Sequence, residues 1–146
     1  MKKQKTAVDF LMAGHSCSQA MVMAYFENHQ LPRDLASRMA SGFAGGMAQG
    51  KTCGAVIGAI MVAGLKFGPK SAKDTYEKDH CFQITQEFCL RFKRLRTTVE
   101  CHEILRMNQI DPQDTESMKQ LREKGLCREI VQDAQQILDQ LFKEEE

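Results

Sequence analysis

An all-α fold, a single domain of about seven to eight bundled helices over residues 1–146, is what this sequence predicts, on three observations. No run of alternating Val, Ile, Thr or aromatic residues sits between turn signals, so strand patterns are almost absent. Apolar residues recur at spacings of three and four along nearly the whole chain, the period of a helix with one buried face. Glycines, prolines and capping residues punctuate that pattern at helix-length intervals.

The elements follow in order. A first helix is expected from about Lys3 to Ala13, with Val8, Leu11 and Met12 on one side and Gly14 as its stop. Ser16 reads as the N-cap of a second helix reaching Tyr25 and Phe26. Pro32 suits the first turn of a third, running through Met39 to about Phe43. A glycine-rich passage, Gly42 to Gly50, permits left-handed backbone and close chain approach. Thr52 can cap a fourth helix, Cys53 to about Phe67, which is apolar on most sides and hence central. Gly68-Pro69 breaks it, and a long amphipathic helix is expected from Ser71 to Arg96, its buried face read as Cys81, Ile84, Phe88, Phe92 and Leu95. Thr98 caps a sixth helix beginning near Cys101. Asp111-Pro112 marks a turn, a polar helix runs from Asp114 to Lys124, and Gly125 separates it from a last amphipathic helix starting near Cys127.

Composition bounds the function. Apolar residues make up 42% and charged residues 27%, with a net charge of +1, an ordinary globular balance that argues against disorder. Near-neutrality leaves no electrostatic footprint for nucleic acid, and the short cluster Arg91, Lys93, Arg94, Arg96 reads as a solvated helix end that offsets the dipole. Lys2, Lys3 and Lys5 are followed by Asp9 rather than an apolar run, so no secretory leader is expected. The longest apolar stretch, Ala55 to Leu65, is too short to span a bilayer. A cytoplasmic protein without a membrane partner is expected. No Ser/His/Asp order or paired-carboxylate spacing points to a hydrolase.

Six cysteines are many for such a chain, and in a reducing compartment they point to metal binding, thiol redox chemistry or core packing rather than a disulfide scaffold. On the helix map they separate. Cys17, Cys53, Cys101 and Cys127 each fall at a helix start, where unpaired amides and a partial positive charge favour a thiolate, the nucleophile in disulfide exchange and the form that ligates metal. Cys81 and Cys89 fall inside the long helix and read as packing. No pair has CxxC spacing, so a shared site needs ligands gathered from four helices, as bundles can do. His102, next to Cys101, and His15, two before Cys17, could tune a thiol or ligate, or simply cap or face solvent; His29 and His80 read as surface residues. The nine methionines suit an adaptable core, with Met21 and Met23 a close pair.

Gly45-Gly46-Met47-Ala48-Gln49-Gly50-Lys51-Thr52 matches the phosphate-loop pattern GxxxxGKT letter for letter. That loop works between a buried strand and a helix, and the preceding Leu35 to Ala40 reads as helix, so no nucleotide is expected.

Gly14-His15-Ser16-Cys17-Ser18-Gln19-Ala20, the passage Gly45-Gly46-Met47 leading to Cys53-Gly54-Ala55-Val56-Ile57-Gly58, and then Cys101 and Cys127 together resemble the C_GCAxxG_C_C family. This bacterial and archaeal group is named for its cysteine pattern and described as redox-active; the resemblance extends from about Val8 to Leu138. It implies that Cys17, Cys53, Cys101 and Cys127 are the family cysteines, as redox thiols or metal ligands, and that Gly54 and Gly58 belong to the cofactor-binding motif. The chain departs from the family label in placing glycine after Cys53 rather than before it. A related helical domain in split-Soret cytochromes is associated with a 2Fe–2S cluster, which favours iron–sulfur over zinc.

Three functions follow as expectations. One is an electron-transfer or sensing protein with a 2Fe–2S cluster on four thiolates, served by a redox partner protein. Another is a thiol–disulfide protein. The third is a non-redox helical module with structural zinc or no metal. Substrate and oligomeric state are not encoded in any motif.

Overall fold

The computed structural model describes residues 4–26 and 31–146, excepting the Arg122 side chain. These residues form eight α-helices and no strand: α1 Ala7–Met12, α2 Cys17–Met23, α3 Arg33–Ala40, α4 Gly54–Phe67, α5 Thr75–Arg96, α6 Cys101–Met107, α7 Thr115–Lys124 and α8 Leu126–Glu144. The expected all-α class holds. No helix among the described residues is long and apolar enough to cross a membrane.

Several helix boundaries differ from the sequence expectation. α1 starts at Ala7 because Thr6 and Asp9 close a capping box, each side chain bonding the other's backbone amide (3.2 and 2.8 Å); Lys3, its expected start, and His29 lie outside the described residues. Gln19 Oε1 reaches back to accept from the Ser16 amide at 3.0 Å and opens α2, which ends at Met23, short of Phe26. Pro32 precedes α3 as its cap, and after Ala40 the chain tightens into a 3-10 turn, Ser41–Phe43. α5 begins at Thr75 rather than Ser71, behind Asp74.

α4 is the central element, packed against α2, α5 and α8. Its apolar surface on most sides follows from that position: Ala55, Val56, Ala59, Val62 and Ala63 are all buried. α2 lies closest, and Gly58 explains why: a Cβ there would come within 2.7 Å of Met21 Cβ and 2.9 Å of the Ser18 carbonyl oxygen. Met21 and Met23 are both core residues.

α5 and α8 lie side by side and correct three sequence readings. Ile84, Phe88 and Phe92 form the buried face of α5, but Leu95 is 59% exposed and Cys81 is only half-buried outside the main core, because α4 and α8 together cover a narrower stripe than the spacing suggests. The basic cluster is more than a solvated end. Arg96 Nε and Nη2 both donate to Asp133 Oδ2 (2.8 and 2.7 Å), and Arg91 bonds Glu87 on its own helix and Glu144 on α8. His80 likewise has company: Nε2 lies 3.1 Å from Glu145, and its ring packs on Phe67 and Tyr76.

Candidate functional site

Four helix starts converge on one side of α4. Cys17 is the first residue of α2, Cys53 the N-cap of α4, Cys101 the first residue of α6, and Cys127 the second of α8. The backbone itself joins two of them. Thr52 and Glu100 form an isolated antiparallel bridge, in which the Cys53 amide donates to the Val99 carbonyl at 2.7 Å and the Cys101 amide to the Lys51 carbonyl at 2.6 Å. Thr52 is therefore a bridge residue rather than a helix cap. Thr98, expected to cap α6, instead accepts from the Glu100 amide (3.1 Å) and donates to Glu103 (2.7 Å).

The glycine-rich passage builds the adjoining wall. Gly45, Gly46, Met47 and Ala48 are all left-handed, with φ between 58° and 65°. For Met47 and Ala48 that conformation costs on the order of 1 kcal/mol each, so the surrounding contacts must hold it. At the end of the passage the His102 ring occupies the place a Cβ on Gly50 would take. The segment that matches the phosphate-loop pattern is thus a left-handed turn preceded by α3 and a 3-10 turn.

All four cysteines line one cavity of about 260 Å³. Its polar lining otherwise comes from Ser16 and His102, and its apolar lining includes Ile104, Leu105, Met118, Leu121 and Ile130. The chain closes tightly around Cys17: a Cβ on Gly54 would lie 2.5 Å from Cys17 Sγ and 3.2 Å from the Phe43 carbonyl oxygen. That contact gives a reason for glycine directly after Cys53. Gly58, one turn further on, lies in the α2–α4 contact and not in the cavity wall, so its service is packing. Cys81, Cys89 and His15 stand outside the cavity lining.

The thiols are free, and none is paired in a disulfide. Their electrostatics reverse the simple expectation from helix starts. Burial raises all four above the ordinary thiol value: Cys53 to about 12, Cys127 to about 12, Cys101 to about 11, and Cys17 in the same direction. Mutual repulsion adds to this, since Cys17 lies close enough to raise each of the other three. Amides offset burial at two positions only. Gly45, Ser18, Cys17 and Ala55 present N–H groups to the Cys17 sulfur, and Ala55 and Val56 to Cys53. Desolvation outweighs the helix-start effect because the site is buried, and the metal-free thiols are held neutral. Among the described residues no group of three or more Cys, His, Asp or Glu side chains stands close enough to hold a single ion, although all four cysteines border the same cavity.

The family model described as "Putative redox-active protein (C_GCAxxG_C_C)" matches residues 15–141. The chain belongs to this family. The matched span contains all four cavity cysteines and both motif glycines. No curated protein and no solved structure matches the chain. Within the C_GCAxxG_C_C span, the sequence reading missed the wall residues Ala44, Met118 and Leu121. A signal for the last two was present: they are three apart, the one apolar pair in an otherwise polar helix.

Proposed function

We propose that this C_GCAxxG_C_C protein carries a 2Fe–2S cluster in the four-cysteine cavity and passes electrons to or from a redox partner protein in a reducing, cytoplasmic setting. The observation that carries the reading is four free thiols, from the starts of four helices, lining a single cavity of about 260 Å³. Four thiolates are the donor set of such clusters. Zinc also accepts four thiolates, each about 2.3 Å from the metal, so iron and sulfide content is what separates the two readings. When bound, the cluster supplies one-electron chemistry. The chain supplies four sulfurs, amide donors at Cys17 and Cys53, and apolar walls that limit water, the features that set a cluster's potential.

Anaerobically prepared protein should be brown, contain iron and acid-labile sulfide in equal amounts, and lose its visible absorbance when Cys53→Ser is made. A chain that stays colourless after cluster reconstitution overturns the reading. Bound zinc without sulfide would replace it with the structural-metal function.

A second reading, thiol–disulfide exchange, is favoured by the closeness of Cys17 to Cys53, on which it exerts the strongest charge effect. It ranks lower because burial keeps the metal-free thiols protonated, and the thiolate is the attacking species. Thiol counting separates the two: exchange chemistry removes two thiols per chain under mild oxidation, and a count that stays at six excludes it.

A further inference from the structure

The cavity has one wall unlike the others. α2, α4, α6 and α8 each bury residues in the core around it, among them Met21, Val56, Ile104 and Ile130. No described residue of α7 is fully buried, and its main helix neighbour is α8. It meets the cavity through two half-buried side chains, Met118 and Leu121. The segment is bounded by two deeply buried residues, Ile110 and Leu126. Just inside or beside those anchors stand left-handed residues, Gln109 (φ 60°) and Gly125 (φ 70°). The hydrogen bonds of Asp111 and Asp114 are local, to the amides of Gln113 and Ser117.

We propose that α7 is a lid, and that Met118 and Leu121 are the residues that control entry to the thiol cavity. Segments with few buried apolar contacts open at lower free energy than the core they cover. Ile110 and Leu126 stay seated while residues 111–125 swing away, and the cavity opens beside Cys101 and Cys127 without unfolding the bundle. What enters is whatever the cavity holds; on the reading above, iron and sulfide during cluster assembly. The lid rests on that reading for its purpose but not for its test, which needs no metal.

The full chain, reduced and treated with a chelator, is exposed to a maleimide, and each cysteine's labelling is followed by peptide mass. In Met118→Ala/Leu121→Ala, labelling of Cys101 and Cys127 should accelerate about tenfold or more, because the lid opens more often. Cys89, outside the cavity on α5, should label at the wild-type rate. Unchanged rates at Cys101 and Cys127, or an equal rise at Cys89, overturn the lid. Should the double variant fail to fold, hydrogen exchange of the wild-type chain decides: α7 amides must exchange faster than those of α8, and equal protection overturns the proposal. A colourless protein with fast α7 exchange would remove the cluster and leave the lid standing.

Discussion

Gly54 shows how one missing methyl group can organise the site. The backbone of α4 passes close under Cys17 Sγ, and a Cβ 2.5 Å from that sulfur would force it aside. Gly54→Ala should therefore leave helical content unchanged, measured by far-ultraviolet circular dichroism, and remove most of the visible absorbance of reconstituted protein. Gly58→Ala should do the opposite. Its Cβ would meet Met21 and the Ser18 backbone in the α2–α4 contact, an overpacking that costs about 1–3 kcal/mol in urea unfolding. Two glycines four apart in one motif thus have separable roles, which spacing alone cannot reveal. The sulfur contact needs the path of a second helix to be known.

At the scale of elements, α8 is fastened to α5 by Arg96, which shares Asp133 Oδ2 between two of its nitrogens while both side chains are largely covered. Arg96→Ala should lower unfolding stability by about 1 kcal/mol, read by chemical denaturation at low salt, with a smaller effect at high salt. The sequence displayed these helices well, since periodicity and caps survive in one dimension: α6 and α7 begin within a residue of their predicted starts. It also placed all four cysteines at helix starts. Two things escaped it. The Thr52–Glu100 bridge joins residues 48 positions apart in the sequence and leaves no local pattern. The role of α7 as a cavity wall rests on two apolar residues in a polar stretch, too few to stand out before the cavity is seen.

For the whole molecule, burying four thiols ties stability to pH. Their protons bind more tightly in the folded chain, where Cys101 reaches about 11 and Cys53 and Cys127 about 12, than in the unfolded chain, where thiols ionise near 9. Between these values the unfolded state holds fewer protons, so stability falls as pH rises. The reduced, metal-free protein should therefore keep its full thiol contribution below about pH 9 and lose it progressively toward 11 to 12, seen as a falling urea midpoint. Substituting Cys53 and Cys127 by alanine should flatten that slope. A metal-loaded sample should lack this contribution, because its sulfurs carry no proton to lose.

The bridge between residues 51–53 and 99–101 gives the four sulfurs unequal footing. Main-chain bonds of 2.7 and 2.6 Å fix the starts of α4 and α6 against each other, so Cys53 and Cys101 keep their separation whatever side chains surround them. Among the described residues no cross-element main-chain bond of this kind reaches Cys127, which is positioned through the packing of α8 on its neighbours. Mild heating or a conservative change in the α8 interface should consequently shift Cys127 while Cys53 and Cys101 stay in register.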